Sequence, residues 1–205
     1  GVYVPEFYNV DYNEDGTIKN IENIETAPAK VKKRIISDLD NAHYPKDFIV
    51  PFIDVVQDRT VGEVFRGCIR GCRFCQAGFI YRPVREKSVD TINRQAKCLC
   101  ENTGYDEISL SSLSTSDYRE IEPLLNKLLE WTDENHVSLA LPSLRIDNFS
   151  EELLEKIKHV RKSGLTFAPE AGTQRLRDVI NKNLTEEEIL TTCKTAFEGG
   201  YTSVK

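Results

Sequence analysis

Residues 63–78 read EVFRGCIRGCRFCQAG, and three cysteines, Cys68, Cys72 and Cys75, fall within eight positions of that stretch. Residues 61–66 read as a short strand, so the cysteines lie on the loop that leaves it. Structural metal sites usually take four protein ligands, and here three stand together with no obvious fourth. What the loop does therefore depends on the frame that holds it.

That frame is legible downstream. Ser88 is placed to cap a helix that carries Val89, Ile92, Ala96 and Leu99 on one face and stops at Gly104. Residues 107–110 read as the next strand. Asp117 and Glu120 have the spacing of a capping box for a helix with Ile121, Leu124, Leu125 and Leu128, and Pro123 is expected to kink that helix or delay its start. Residues 137–141 make a third strand. Ser150 then caps a helix with Leu153, Leu154, Ile157 and Val160, ended by Gly164, and residues 165–168 make a fourth strand. Thr185 and Glu188 form another capping box, for a helix with Ile189, Cys193, Ala196 and Phe197. Gly199 and Gly200 close it, and residues 201–205 begin a fifth strand.

Strands alternating with amphipathic helices imply βαβ units and a parallel sheet. The expected fold class is α/β, a partial (βα) barrel truncated in its fifth strand, occupying residues 56–205. In such folds chemistry gathers at the C-terminal ends of the strands, which selects the loops after Arg66, Leu110, Leu141 and Ala168.

Residues 1–55 differ from this rhythm and read as a small β-rich appendage or linker. Two extended runs flank Asn13-Glu14-Asp15-Gly16, a hairpin signal, and residues 31–36 are a candidate third strand. Residues 11–22, DYNEDGTIKNIE, also match a calcium-loop pattern through Asp11, Asn13, Asp15, Gly16 and Glu22. Such a loop needs a helix on each side. Pro5 and Pro28 and the extended character of the flanks favour the hairpin.

Composition sets outer limits. The chain has 205 residues, 40% of them hydrophobic and 29% charged, which excludes wholesale disorder. A formal net charge of -6 offers no global basic field for nucleic acid. No apolar run approaches the ~20 residues a membrane helix needs. The chain starts at Gly1 without a signal pattern and contains no Met, so it is expected to be a processed or excised piece of a cytoplasmic protein. Its six cysteines fit a reduced compartment and metal ligation better than a disulfide framework.

The cysteine spacing is C-x₃-C-x₂-C, and several readings compete for it. Zinc would want a second pair of ligands, for which Cys98, Cys100 and the scattered His43, His136 and His159 are poor sources. A bacterial-ferredoxin cluster would want C-x₂-C-x₂-C and a further Cys-Pro. Coincidental buried cysteines are seldom so dense in a Gly- and Arg-rich loop. A four-iron cluster on three thiolates leaves one iron open, as a catalytic metal site requires.

C-x₃-C-x-aromatic-C, with Phe74 as the aromatic residue, on the loop after the first strand of a βα array, resembles the radical S-adenosylmethionine (SAM) superfamily. The resemblance covers residues 56–205. Residues 63–78, with LSSLSTSD at 110–117 and FAPEAGT at 167–173, are similar to uncharacterised members with an upstream cobalamin-binding-like domain. The Glu-Ala-Gly within residues 167–173 is also similar to a motif of methylthiotransferases and coproporphyrinogen-type enzymes.

This resemblance implies a barrel of the radical SAM type, with Cys68, Cys72 and Cys75 holding a 4Fe–4S cluster whose open iron chelates SAM. Electron transfer then releases a 5′-deoxyadenosyl radical that abstracts a hydrogen atom from a substrate the sequence does not name. Ser111 and Ser112 stand where the family places a SAM-binding Gly-rich stretch, and the alternative there is a helix-capping turn. Glu170 is a candidate for the SAM ribose or ammonium, or else a first-turn acid before a helix. Arg145 is a candidate for the SAM carboxylate, or else a surface partner of Asp147.

Arg59, Arg66, Arg70, Arg73, Arg82, Arg85 and Lys87 make the cysteine segment locally basic. Compensation of an anionic cluster is favoured over an RNA backbone as the reason. The implied partners are SAM, a reductant such as flavodoxin or ferredoxin, and no membrane. Cobalamin enters only through an upstream domain absent from this sequence. The opposing class is a non-catalytic metal module holding zinc or an electron-transfer cluster. The catalytic reading also predicts three sulfurs converging at the barrel mouth.

Overall fold

The computed structural model describes residues 1–24, 26–148, 151–158 and 164–205. The chain divides into two compact units, Gly1–Ser37 and Asp38–Lys205.

The first unit is built on a hairpin. β1 (Tyr8–Tyr12) pairs antiparallel with β2 (Ile18–Asn23), with an irregularity between Asp11 and Tyr12. Asp15 closes the turn by accepting from Thr17 N at 3.0 Å and Thr17 Oγ1 at 2.6 Å. The calcium-like residues thus form a hairpin turn. The expected strand at residues 31–36 is absent: these residues have no regular secondary structure. Both hairpin strands pair with each other, and the basic run Lys32-Lys33-Arg34 makes no ladder with either.

The second unit follows the βα rhythm. β3 (Thr60–Glu63) runs into β4 (Phe65–Arg66), and the two are separate strands rather than one. Val64 is the break. Its N–H donates to Ser111 O at 2.9 Å, while its carbonyl accepts from Lys87 N at 3.1 Å. β4 is therefore free to pair antiparallel with β5 (Arg85–Glu86), and the segment between them contains the cysteines and α1 (Gln76–Ile80).

α2 (Val89–Thr103) begins at Ser88, whose side chain accepts from Thr91 N, a cap worth about 1 kcal/mol. It ends at Gly104, whose φ of 75° is the left-handed cap that glycine supplies without strain. β6 (Glu107–Ser111) pairs in parallel with β3, and β7 (Ser138–Ala140) in parallel with β6, giving the order β3-β6-β7.

Between β6 and β7 lies α3 (Ile121–Thr132). Its predicted capping box is not formed: Glu120 is the N-cap and makes no side-chain cap bond. Asp117 is drawn away by partners on other loops, described below. Pro123 sits in the first turn, where its missing N–H costs nothing, so it delays the start and does not kink the helix.

α4 (Glu151–Lys158), α5 (Gln174–Val179) and α6 (Glu186–Glu198) complete the described helices. Ser150, Val160 and the side chain of Ile157 lie outside the described residues. α6 has the full Thr185/Glu188 capping box. Its Ala196 is fully buried, but Phe197 is 51% exposed and does not join the apolar face.

Residues 165–168 and 201–205 are not regular strands. They are joined by Lys205 N to Leu165 O at 3.0 Å and Phe167 N to Lys205 O at 2.8 Å, the bonding pattern of a parallel pair.

One core unites these elements. Ile92 and Ala96 of α2, Ile108 and Leu110 of β6, Leu124, Leu125 and Leu128 of α3, and Leu154 of α4 are all at most 2% exposed. Each fully buried leucine or isoleucine contributes about 2 kcal/mol of transfer free energy. The sheet is sealed against helices on this face, and the loops at its C-terminal edge are left to form a site.

Candidate functional site

The cysteine loop leaves β4 through Gly67. Its φ is 98°, and a Cβ there would lie 2.8 Å from Tyr81 O and 3.1 Å from Pro83 O. Only glycine fits this close crossing of two backbones. The loop then turns into α1, where Cys75 is the N-cap and its Sγ accepts from Gly78 N at 3.4 Å.

All three thiols are free; Cys72 is buried and Cys68 and Cys75 are half-buried. Burial pushes the Cys68 thiol up, an effect opposed by the Arg70 backbone N–H and reinforced by Asp117, Cys72 and Cys75. The donor set suits a cluster by its chemistry: three free thiols on one loop. The expected convergence of the sulfurs is not formed. Among the described residues no three His, Cys, Asp or Glu side chains are gathered to hold a metal ion. Cys75 instead points its sulfur at the start of α1, and ligation requires the sulfurs to turn towards a shared centre.

Arg70, between Cys68 and Cys72, anchors the loop. Its guanidinium forks onto Asp117, with Nε 2.8 Å from Oδ2 and Nη2 2.5 Å from Oδ1, and reaches Asp147 Oδ2 with Nη1 at 3.0 Å. Asp117 also accepts from Ser114 Oγ at 2.7 Å and Asn148 Nδ2 at 2.7 Å. Burial alone would raise the Asp117 carboxyl, but Arg70 and Ser114 outweigh it and hold the group below its ordinary value. These contacts tie together the loops after β4, β6 and β7.

A second anchor comes from the segment after α5. Arg73 N donates to Ile180 O at 2.9 Å, Asn181 Nδ2 to Gly71 O at 2.8 Å, and Arg73 Nη1 to Val179 O.

Beside the loop is a pocket of about 290 Å³ lined by Glu63, Phe65, Arg66, Gly67, Tyr81, Ser111, Ser112 and Leu113. Ser111 and Ser112 thus share this space with Gly67, where the cysteine loop begins, and none of the three cysteines lines it. The Ser112 hydroxyl lies 3.0 Å from Thr115 Oγ1 and accepts from Ser114 N at 3.2 Å, so it also orders its own turn. Phe74 is 53% exposed on the cysteine loop. Arg145 is buried; its Nε donates to Asp147 Oδ1 at 2.9 Å and its Nη2 to Lys182 O at 3.2 Å, and it does not line the pocket. Glu170 pairs with Lys182 Nζ at 3.2 Å and holds a φ of 68°, the left-handed region that non-glycine residues rarely occupy.

The loop's other cations are engaged by neighbours. Arg66 forks onto Glu63 at 2.7 and 2.8 Å, Arg59 pairs with Glu107 at 2.9 Å, and Arg82 lies 4.8 Å from the Phe79 ring centroid. Lys87 is buried, donates to Gln95 Oε1 at 2.9 Å and lies over the Tyr44 ring.

Two further residues were not singled out by sequence. Asn181 has no local motif to announce it. Arg177 is 2% exposed and donates to the carbonyls of Ala171, Gly172 and Leu184, bracing the loop that carries Glu170.

Comparison with known proteins agrees with this frame. The family model for the radical SAM superfamily matches residues 63–205, and the chain belongs to that superfamily. It is a class of enzymes whose members use a 4Fe–4S cluster and SAM. An uncharacterized protein of Methanocaldococcus jannaschii is 35% identical over 143 residues, covering 70% of this chain. A putative methylthiotransferase of the same organism is 27% identical over 147 residues, covering 67% of this chain. The chain spans 31% and 32% of the lengths of these two proteins.

Among solved structures, the radical SAM methyltransferase TsrM from Kitasatospora setae, with tryptophan and a SAM analogue bound, has a TM-score of 0.56 at 12% identity. That match covers 70% of this chain and 29% of TsrM. A second TsrM structure, with cobalamin and a [4Fe-4S] cluster bound, gives 0.55 at 12% identity, over 69% of this chain and 29% of TsrM. This likeness is one of fold. Among the described residues no helix is long and apolar enough to cross a membrane.

Proposed function

We propose that this chain carries the cluster- and SAM-binding core of a radical SAM enzyme, in which Cys68, Cys72 and Cys75 hold a 4Fe–4S cluster. The observation that carries the reading is the placement of three free thiols on the loop that leaves β4 through Gly67, a residue that lines a pocket with Ser111 and Ser112. When bound, the cluster and SAM supply a 5′-deoxyadenosyl radical for hydrogen abstraction.

The chain's own residues bind and orient. The thiols ligate three irons and leave the fourth to SAM. Ser111 and Ser112 offer a small-residue wall that lets SAM approach the backbone closely. Phe74 shields the cluster side of the loop. Glu170 faces the ribose or ammonium, and its left-handed backbone is held by the bracing of Arg177 on Ala171 and Gly172. Arg145 reaches the SAM carboxylate by exchanging Asp147 for it, a swap of one carboxylate for another on the same guanidinium fork.

In this reading residues 56–205 carry a partial (βα) barrel of the radical SAM type, and the β-rich appendage is the hairpin unit Gly1–Ser37. The protein acts in the cytoplasm, with a flavodoxin or ferredoxin as electron donor. The test is anaerobic reconstitution with iron and sulfide, followed by SAM titration. A reduced cluster that responds to SAM supports the assignment, and a chain that takes up only zinc rejects it.

A further inference from the structure

Residues 180–183 touch three loops at once. Ile180 O accepts from Arg73 N at 2.9 Å, and Asn181 Nδ2 donates to Gly71 O at 2.8 Å across 110 residues of sequence, so the first two hold the cysteine loop. Lys182 O accepts from Arg145 Nη2 at 3.2 Å, which holds the loop after β7. Lys182 Nζ pairs with Glu170 Oε1 at 3.2 Å, which holds the loop after residues 165–168.

The backbone is shaped for this. Asn181 and Asn183 have φ of 56° and 52°, a left-handed conformation that asparagine tolerates better than most side chains. The fit to the cysteine loop is close: a Cβ on Gly71 would lie 3.1 Å from Asn181 Nδ2.

We propose that residues 180–183 set the cysteine loop against the loop carrying Glu170, and that Asn181 is a positioning residue for the three cysteine ligands, acting through Gly71 O. This rests on the assignment of the cluster above. Asn181 fixes where the middle of the C-x₃-C-x₂-C loop lies, while Lys182 fixes Glu170. One rigid segment thereby keeps the cluster ligands and a SAM-facing carboxylate in constant relation. Without the Asn181 amide, the loop keeps its thiols but loses the bond that holds Gly71, between Cys68 and Cys72, in place.

The experiment compares Asn181→Gly, Asn181→Asp and Asn183→Gly in the full chain, reconstituted with iron and sulfide. Glycine at 181 keeps the left-handed backbone and removes the amide. Aspartate keeps the size and removes the donor. Asn183→Gly makes the same backbone change on an exposed residue and serves as control. Iron content, the reduced-cluster EPR spectrum and the SAM concentration giving half its change are measured, together with thermal unfolding of the metal-free chain.

Both Asn181 variants are expected to bind iron, to show a broadened EPR signal and to need about five-fold more SAM, the factor for one lost hydrogen bond. Asn183→Gly is expected to match the parent. Asn181 variants that match the parent in EPR and SAM response, or that change only in thermal unfolding, overturn the inference while leaving the cluster assignment intact. Equal loss in Asn183→Gly overturns it too. A parent chain that forms no SAM-responsive cluster rejects the assignment itself, and the inference with it.

Discussion

Arg70 lies two residues beyond Cys68 and forks onto Asp117, 47 residues away, with both guanidinium–carboxylate contacts at or below 2.8 Å. The Asp117 side chain is 2% exposed and that of Arg70 23%, so the carboxylate is buried while the guanidinium keeps some contact with water. It connects the loop that carries the thiols to the loop that ends β6, and it organises the predictions that follow.

Removing Asp117 takes both fork contacts from Arg70 and leaves it Asp147. Asp117→Ala is expected to destabilise the chain by about 2 kcal/mol, read as a lower midpoint in urea unfolding. Asp117→Asn keeps the shape and the contact with Ser114, and is expected to cost less. A change below about 0.5 kcal/mol in the alanine variant would remove this pair from the account.

The same carboxylate predicts an acid limb. Its pKa is lowered in the fold, so its stabilisation is fully present above the ordinary aspartate value. That contribution is lost as pH falls through the lower folded value. Unfolding titrations between about pH 5 and pH 2 should show the parent losing stability more steeply than Asp117→Asn. Equal slopes would contradict the assignment.

Lys87 predicts an effect of the opposite kind. Burial lowers its pKa, and its ammonium donates to the Gln95 amide oxygen. The fold therefore disfavours its charged form at neutral pH. Stability should rise as pH climbs from the lowered folded value towards the unfolded lysine value of about 10.4. Lys87→Met should abolish that rise and be about 1 kcal/mol more stable at pH 7. A destabilised methionine variant would mean that the Gln95 bond and the Tyr44 ring outweigh burial.

The pocket predicts a separation of functions. Ser111→Phe fills the pocket it shares with Gly67, which no cysteine lines. Iron content should stay at the parent level, while the SAM concentration for half the EPR change rises about ten-fold or more. Loss of iron together with SAM response would mean that the substitution disturbs the loop and not the pocket.

Gly67 predicts the converse. A Cβ at Gly67 meets Tyr81 O at 2.8 Å on a backbone with φ of 98°, so Gly67→Ala should cost about 2 kcal/mol or more and lower iron uptake. Full iron content in a stable alanine variant would show that the crossing of these two backbones can relax.

Local signals explain what the sequence made legible. Ser88, Gly104 and the Thr185/Glu188 pair act within one helical turn, and each does what its spacing predicts. Asp117 has a capping-box spacing too, but Arg70, Ser114 and Asn148 take its oxygens, and no local pattern reveals that competition. Residues 165–168 and 201–205 read as strands from sequence yet are not regular strands, joined by Lys205 N to Leu165 O and Phe167 N to Lys205 O. The three cysteines are adjacent in sequence, so their grouping was visible. The contacts that fix their loop come from Asp117, Asp147 and Asn181, which approach only on folding.

The central claim is that three thiols on this loop hold a cluster with an iron open to SAM. The most direct measurement is low-temperature EPR of the anaerobically reconstituted, reduced chain with and without SAM, alongside Cys68→Ala. The account predicts a reduced-cluster signal that shifts when SAM is added and is absent from the alanine variant. A chain that binds zinc and forms no iron cluster, or a cluster signal that survives loss of Cys68 and ignores SAM, would contradict it.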